Sequence, residues 1–485
     1  MRHKVGLFLG PVWLAAVLIL PAPNSLPQDG WLTAGIALLM ATWWITEAIP
    51  IPATSLLPLV FFPLFGIGLM RDTAAPYANP LIFLFMGGFL IALAMVRWDL
   101  HKRIALKIVA WVGTGPRALI AGFMMATAFL SMWVSNTATT LMMLPVGLSV
   151  IAVVDDAGSA EPFRSRFALA LLLGIAFSAN IGGMGTLIGT PPNAFIAAYF
   201  ESEFSFALTF LDWMVVGVPI VVVGIPLTLG VLTYWMFPFR HGDVIGSQAV
   251  IDREIALLGP FSRGEIAVSV VFVVTALLWI TRPLLDPYLP GLTDAGIAMA
   301  GGLVLFLIPI DFRRGVFVQN WKTARQLPWG ALILIGGGLS LASMVTRSGL
   351  ADWIGASLEF VDTLPVIVII LVVTGLIVYL TELTSNTATT ATFVPVLAAL
   401  ALGIGQNPLL FAIPAALAAS CAFMLPVATP PNAIVYGSGR VSVPQMARSG
   451  SVLNPLFLLL VTAAGYVLIL WAFDVQLDAI PEWAR

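Results

Sequence analysis

Two short polar motifs, each present twice, contain the residues of this sequence best suited to hold a small charged ligand. Ser135-Asn136-Thr137 recurs as Ser385-Asn386-Thr387, and Thr190-Pro191-Pro192-Asn193 recurs as Thr429-Pro430-Pro431-Asn432. Hydroxyl and amide groups donate hydrogen bonds to carboxylate or sulfate oxygens, and their oxygens suit a hard cation such as sodium. Breaks at these motifs would expose backbone N–H groups and the positive ends of helix dipoles to an anion. The pattern therefore predicts a site for a small anion and cations.

The segments around these motifs lack basic residues. No Lys, Arg or His lies within residues 118–163, 167–239 or 363–439. A dianion bound there has no fixed positive partner, and an unpaired charge in an apolar environment is costly. Co-bound cations would supply the missing charge, so the sequence favours symport over uniport.

Other chemistries find little support in the sequence. The chain has one cysteine, Cys421, which lies in an apolar segment, and three histidines, His3, His101 and His241, which lie outside the apolar segments. These residues cannot form a disulfide framework or a typical zinc site, and there is no H-E-x-x-H motif. The net charge of −2 gives no reason to expect a nucleic-acid partner. We therefore expect neither an enzyme nor a nucleic-acid-binding protein.

Two carboxylates lie within apolar segments. Glu47 falls near the inner end of a predicted helix, and Glu382 lies three residues before the second Ser-Asn-Thr motif. An intramembrane acid is a candidate functional group, and Glu382 is placed to bind a proton or a cation. Its counterpart 250 positions earlier is Met132, so the acid is not part of the duplicated pattern. A structural role is the favoured interpretation of both carboxylates.

The composition requires that most of the chain be buried in lipid. Of 485 residues, 60% are hydrophobic and 9% charged, and the mean hydropathy is +1.01. A soluble domain carries about 25% charged residues, so the sequence predicts an all-α polytopic membrane protein. Nine apolar segments reach the length of about 17 residues that a spanning helix needs. They lie near residues 5–22, 31–49, 53–70, 80–96, 213–236, 265–281, 295–310, 329–346 and 452–473.

Four further apolar stretches do not fit simple spans. Residues 118–154 and 364–402 are each interrupted halfway by a Ser-Asn-Thr motif, which predicts two re-entrant hairpins. Residues 167–200 and 408–439 are interrupted by Gly and Pro, which predicts two broken helices that each cross once. The total is eleven crossings. With the N-terminus inside and the C-terminus outside, 18 of the 22 Lys and Arg residues fall in cytoplasmic loops, as the positive-inside rule requires.

The motifs belong to an internal repeat. Gly87-Gly88, Ser135-Asn136-Thr137 and Thr190-Pro191-Pro192-Asn193 recur in the same order, beginning at Gly336-Gly337. After a first helix within 1–30, repeat 1 covers 31–263 with an inward-entering hairpin, and repeat 2 covers 264–485 with an outward-entering hairpin. An odd number of crossings separates equivalent points, so the repeats are inverted. Inverted repeats with interrupted helices are typical of secondary transporters, although an inverted-repeat channel is an alternative.

With these motifs, the sequence closely resembles the divalent anion/sodium symporter family over nearly its whole length. The resemblance rests on Trp-Trp-Ile-Thr-Glu-Ala-Ile-Pro at 43–50, Gly-Thr-Leu-Ile-Gly-Thr-Pro-Pro-Asn at 185–193, Leu-Pro-Val-Ala-Thr-Pro-Pro-Asn at 425–432 and both Ser-Asn-Thr motifs. It implies a plasma-membrane homodimer that imports C4-dicarboxylates (succinate, malate or fumarate) by sodium symport with an elevator-like displacement. Sodium-independent dicarboxylate exchange, and sulfate or tricarboxylate transport, remain alternatives within the family.

The resemblance also implies roles for individual residues. The substrate binders are Ser135, Asn136, Thr137, Ser385, Asn386 and Thr387, supported by Thr190, Thr429 and Pro430. One sodium site comprises Ser131, Ser135, Asn136 and Gly189, and a second comprises Thr381, Thr384, Asn386 and Ala428. Only the backbone carbonyl of Thr384 is expected to matter. Exchangers of the family are expected to place basic groups near the cation positions, and this sequence has none there.

Overall fold

The computed structural model describes residues 2–113, 115–156, 161–238, 248–357, 364–477 and 479–484. His241, and the Arg240 and Arg485 counted in the charge distribution, lie outside these residues. Within them the chain is helical almost throughout, which confirms the predicted all-α membrane class. The exception is a two-stranded antiparallel hairpin, in which Pro309–Asp311 pairs with Val316–Phe317.

The helices are numbered in chain order through the described residues. The first thirteen are α1 (Arg2–Ile19), α2 (Gln28–Thr46), α3 (Ile51–Thr54), α4 (Pro58–Leu64), α5 (Met70–Ala74), α6 (Pro80–Arg97), α7 (Leu100–Val112), α8 (Pro116–Ser131), α9 (Asn136–Asp156), α10 (Glu161–Gly183), α11 (Pro191–Phe204), α12 (Phe210–Gly230) and α13 (Gln248–Leu258). The other ten are α14 (Arg263–Leu285), α15 (Asp294–Leu307), α16 (Trp321–Ala324), α17 (Trp329–Arg347), α18 (Leu350–Ser357), α19 (Val366–Leu380), α20 (Asn386–Gly403), α21 (Leu409–Ala419), α22 (Pro430–Gly437) and α23 (Val443–Ala472). A π-helical turn, Val231–Met236, extends α12.

Eight helices in the described part of the chain are long and apolar enough to cross a membrane, judged by length and composition. Six shorter apolar helices accompany them, so the count of eleven crossings remains a prediction. One predicted span is wrong in detail. The segment near 53–70 is two short helices, α3 and α4, because Pro58 has no N–H to continue the helical hydrogen bonds of the preceding turn.

Two helical hairpins and two interrupted helices contain the duplicated motifs. A turn at 132–135 joins α8 to α9, and a turn at 381–385 joins α19 to α20. Irregular backbone at 184–190 separates α10 from α11, and irregular backbone at 420–429 separates α21 from α22. Both copies of each duplicated motif therefore lie at a junction between two helices.

The helices next to these junctions form the interior of the protein. α10 is buried along almost its whole length, and every residue of α21 is buried. Such helices are apolar on all sides because they contact protein on all sides. α14 and α23 are largely exposed and have the apolar surfaces of helices that face lipid. Gly182 allows α10 to approach α8 closely, since a Cβ atom there would lie 2.2 Å from the carbonyl oxygen of Ala128.

Candidate functional site

A cavity of about 780 Å³ lies where the two hairpin tips meet the two helix breaks. All nine residues predicted to bind substrate line this cavity. They are Ser135, Asn136, Thr137, Thr190, Ser385, Asn386, Thr387, Thr429 and Pro430. Residues 250 positions apart in the sequence therefore face one space.

Four helices begin at the cavity, namely α9, α20, α11 and α22. The N-terminus of a helix carries partial positive charge, so four aligned helix starts make the cavity attractive to an anion without any basic side chain. Within the described part of the chain, no Lys, Arg or His lines it, and Glu47 is its one ionisable residue.

The four helix starts differ in the donors that they supply. α9 and α20 begin at Asn136 and Asn386, whose N–H groups lie in the first helical turn and have no partner within the helix. α11 and α22 each begin with two prolines, which have no N–H. The hairpin tips thus provide backbone donors, whereas the Thr-Pro-Pro-Asn breaks provide the helix dipole and the hydroxyls of Thr190 and Thr429. The sequence predicted N–H donors at the start of all four helices, and this was wrong for α11 and α22, which follow the two Thr-Pro-Pro-Asn breaks.

The first predicted sodium site contains a cluster of oxygens around a single hydroxyl proton. Ser131 Oγ lies 2.6 Å from Asn136 Oδ1 and 2.7 Å from the carbonyl oxygen of Ala179. A serine hydroxyl has one proton and can donate to only one of these oxygens at a time. A hard cation bound among such oxygens would relieve their mutual repulsion. Gly189 and Asn136 line the cavity, whereas Ser131 is fully buried and does not line it.

The second predicted sodium site has the same arrangement. Thr381 Oγ1 lies 2.8 Å from Asn386 Oδ1 and 2.8 Å from the carbonyl oxygen of Ala419. The hydroxyl of Thr384 is occupied by Leu380 O at 3.0 Å and by the hydroxyl of Thr389. This supports the expectation that Thr384 contributes only its carbonyl. Thr384 and Ala428 both line the cavity.

The asparagine that ends each Thr-Pro-Pro-Asn motif holds the irregular backbone in place. Asn193 Nδ2 donates to the carbonyl oxygens of Gly183 and Thr186, at 2.9 and 2.7 Å. Asn432 Nδ2 donates in the same way to Ala422 and Leu425, at 3.0 and 3.1 Å. Both side chains are buried, so these residues shape the breaks without facing the cavity.

Asn180 lines the cavity, and the sequence reasoning missed it. Its Nδ2 donates to the hydroxyl of Thr429 at 3.0 Å and to the carbonyl oxygen of Ala422 at 3.3 Å. The residue therefore links α10 in the first half of the chain to the second Thr-Pro-Pro-Asn motif. The sequence did contain one sign of this role, namely an amide side chain within the largely apolar segment 167–200.

The two intramembrane carboxylates lie in different environments. Glu47 follows the end of α2 with a left-handed backbone (φ 52°) and lines the cavity, although a structural role was favoured from the sequence. Glu382 is buried outside the cavity lining. Its carboxylate accepts hydrogen bonds from the main-chain N–H groups of Phe423, Met424 and Leu425, at 2.7 to 3.0 Å. These contacts hold the irregular backbone at 423–425, which supports the structural role that the sequence favours for Glu382.

Comparison with known sequences identifies relatives along almost the whole chain. A family model described as "Sodium:sulfate symporter transmembrane region" matches residues 2–473. The sodium-dependent dicarboxylate transporter SdcS of Staphylococcus saprophyticus is 43% identical over 472 residues, which cover 96% of this chain and 91% of the relative. SdcS of Staphylococcus aureus strain USA300 is 42% identical over 469 residues, which cover 95% of this chain and 90% of the relative.

Solved structures share the fold at low sequence identity. The Alcanivorax borkumensis YdaH transporter matches with a TM-score of 0.57 and 14% identity, covering 93% of this chain and all of that one. Neisseria gonorrhoeae MtrF matches with a TM-score of 0.59 and 12% identity, covering 98% of this chain and 96% of that one. At such identities the likeness concerns the arrangement of helices alone.

Proposed function

The chain belongs to the sodium:sulfate symporter family, and on that basis we propose that it imports C4-dicarboxylates such as succinate, malate and fumarate by sodium symport. Membership confirms the family resemblance of the duplicated motifs. The relatives SdcS are named as sodium-dependent dicarboxylate transporters, which supports both the substrate class and the coupling ion. Transport rather than catalysis is the activity that the family and these relatives support.

The observation that carries the proposal is that both hairpin tips line one cavity, in which the described residues include no basic side chain. Two tips of the same composition match the two carboxylates of a dicarboxylate. Each tip supplies hydroxyl, amide and backbone N–H donors, and each has an oxygen cluster behind it for a cation. Sodium ions at these clusters offset the charge of the dianion, so substrate and sodium bind together more favourably than either alone.

Asn136 and Asn386 have a double role in this proposal. With Oδ1 held against the hydroxyl of Ser131 or Thr381, each amide directs its Nδ2 donors away from the cation cluster. The same side chain then joins the substrate position to the cation position. Binding of sodium would orient the amide for the substrate carboxylate, which couples the two ligands.

We also propose that the chain has two inverted repeats and works by an elevator-like displacement in a homodimer of the plasma membrane, with the N-terminus cytoplasmic and the C-terminus outside. The corresponding hydrogen bonds of Ser131 and Thr381, and those of Asn193 and Asn432, support the repeat. The distribution of Lys and Arg supports the orientation. The homodimer and the displacement rest on the family resemblance.

Uptake of labelled succinate into proteoliposomes tests the function. An inward sodium gradient is compared with an equal potassium gradient, with no substrate inside. We expect accumulation only with sodium, and inhibition by unlabelled malate. Uptake that ignores sodium but requires internal succinate would identify an exchanger and contradict the proposed cation sites. Competition by unlabelled sulfate or citrate, measured in the same assay, would replace the dicarboxylate assignment if either ion competes more strongly than malate.

A further inference from the structure

A second pocket, of about 260 Å³, lies away from the transport cavity, between α7, α8 and α14. Its walls are apolar and include Phe129 of α8 and Phe272 and Val273 of α14. Phe129 and Val273 are exposed on the surface of the protein. On helices that lie in a membrane, an exposed apolar surface faces lipid, so this pocket opens toward the bilayer.

The residues that line the pocket are spread along α14 over about the depth of one lipid leaflet. α14 begins at Arg263, and Val273 lies ten residues further along, a rise of about 15 Å. The hydrocarbon core of a bilayer is about 30 Å thick, so half of it is about 15 Å. The pocket thus extends from the membrane interface, at Phe261, toward the middle of the bilayer. The predicted orientation places its mouth on the cytoplasmic side.

Two basic side chains of α7, Arg103 and Lys107, line the pocket. They differ in whether their N–H donors are already bonded within the protein. Arg103 is buried, with Nε 2.5 Å from Glu265 Oε1 and a terminal nitrogen 2.9 Å from the carbonyl oxygen of Gly259. Its donors are therefore committed within the protein. Lys107 is exposed, and its Nζ lies 4.8 Å from the ring centroid of Phe261. Among the described residues, no carboxylate forms an ion pair with Lys107.

We propose that this pocket binds an anionic phospholipid of the inner leaflet, with one acyl chain against Phe129, Phe272 and Val273 and the phosphate at Lys107. A free phosphate would meet the charge of Lys107 but not the apolar walls. A lipid without net charge would contact the apolar walls but would have little electrostatic attraction to Lys107. An apolar pocket along the first turns of α14, with the exposed ammonium group of Lys107 beside it, matches an anionic lipid.

Occupancy of the pocket would favour one arrangement of the helices around it. Its walls come from α7 and the hairpin helix α8, which are consecutive in the chain, and from α14, which is distant from both in the sequence. A bound lipid would contact all three, with its acyl chain on α8 and α14 and its phosphate at α7, and would stabilise the arrangement in which the pocket exists. The lipid would therefore stabilise the described conformation of the protein.

Native mass spectrometry of the purified full-length chain, with dioleoylphosphatidylglycerol added, tests the proposal. We expect Lys107→Gln to reduce lipid adducts roughly fivefold, the effect of one basic residue at a membrane surface. Lys102→Gln is the matched control, because Lys102 lies on the same helix but pairs with Glu254 at 2.9 Å and does not line the pocket. This variant should bind the lipid like the wild type.

Three results would overturn the proposal. One is equal binding by the wild type and Lys107→Gln, and another is equal binding of dioleoylphosphatidylcholine and dioleoylphosphatidylglycerol. The third is displacement of the lipid by glycerol phosphate, which has the phosphate but no acyl chain. A second variant tests the apolar wall. Val273→Trp, at an exposed position, should reduce lipid adducts while leaving the melting temperature without added lipid unchanged, and undiminished binding would contradict the assigned position of the acyl chain.

Discussion

Asn454 Nδ2 donates a hydrogen bond to Glu382 Oε1 at 2.8 Å, which joins the second helical hairpin to α23. The same carboxylate accepts three main-chain N–H groups from the irregular backbone between α21 and α22. That segment leads to Ala428, a residue of the proposed second sodium site. Glu382 therefore holds the backbone on one side of the proposed second sodium site, although it does not line the cavity.

Glu382→Gln should weaken this arrangement, because the amide nitrogen would face N–H donors in place of a carboxylate oxygen. Loss of a buried hydrogen bond of this kind costs about 1–3 kcal/mol. We expect a lower melting temperature in detergent and a higher sodium concentration for half-maximal uptake. Asp352→Asn, the same change at an exposed position of α18, is the control. Wild-type stability and sodium dependence in Glu382→Gln would contradict the positioning role.

Asn136→Ala and Asn386→Ala should each abolish sodium-dependent uptake while leaving a folded, membrane-inserted protein. Each substitution removes an amide that contacts both the proposed substrate position and the cation cluster. Asn320→Ala is a suitable comparison, since Asn320 caps the short helix α16 and does not line the cavity. Wild-type uptake by either cavity variant, at equal expression, would remove the proposed site.

Ser131→Ala and Thr381→Ala should affect sodium rather than substrate. Each hydroxyl lies between an asparagine Oδ1 and a backbone carbonyl within an oxygen cluster. Loss of such a group should raise the sodium concentration for half-maximal uptake roughly tenfold. Thr381→Ser keeps the hydroxyl and should restore most of the affinity. A change in the KM for succinate at saturating sodium, with unchanged sodium dependence, would assign these residues to the substrate instead.

Asn180→Ala should raise the KM for the dicarboxylate roughly fivefold, the effect of losing about 1 kcal/mol from one hydrogen bond. Without the Asn180 amide, the Thr429 hydroxyl is less well oriented toward the cavity. Ser178→Ala is the matched control on the same helix, since the buried Ser178 Oγ makes no hydrogen bond among the described residues. Equal KM values for the two variants would show that Asn180 does not act on the substrate site.

His101 should make stability depend on pH. Burial lowers the pKa of His101 below its ordinary value of 6.5, and this effect outweighs the carbonyl of Met95 and the nearby Asp99, which act in the opposite direction. α7 lies between the predicted spans. Because the folded state binds this proton less readily than the unfolded state, the stability from His101 is present above pH 6.5 and is lost as the pH falls below it.

The comparison is the melting temperature in detergent at pH 7.5 and pH 5.5. In His101→Gln, the decrease between these two pH values should be smaller than in the wild type. An identical decrease in the variant would show that His101 does not contribute to the pH dependence.

Local patterns were enough to predict where the four pairs of helices are interrupted, at 132–135, 184–190, 381–385 and 420–429. Ser, Asn, Gly and Pro interrupt helices through interactions within a few residues, so the sequence records them directly. Asn180 escaped prediction because its partner Thr429 is 249 positions away, and only the fold brings the two together. The same reason explains why the sequence did not show that Glu47 lines the cavity. Most of the other residues that line the cavity are far from Glu47 in the chain.

The segment near 53–70 shows a different limit. Hydropathy alone treats residues 53–70 as one span, because proline in an apolar run hardly changes the average. The structure divides this segment between α3 and α4 at the turn before Pro58. The missing N–H of Pro58 coincides with this break, but α9, α12 and α20 continue through internal prolines, so proline alone does not predict where a helix ends.

The described residues that line the cavity include no basic side chain, and this has a consequence for the effect of membrane voltage. Glu47 is the one ionisable residue that lines the cavity within the described part of the chain. As long as the protonation state of Glu47 is the same in both forms, the charge difference between the loaded and the empty site is the charge of the cargo alone. Two sodium ions would make a loaded dianion neutral, and each additional one would leave a net positive charge, worth about 2.3 kcal/mol per 100 mV. The dependence of succinate accumulation on membrane potential would therefore count the sodium ions moved in each transport cycle.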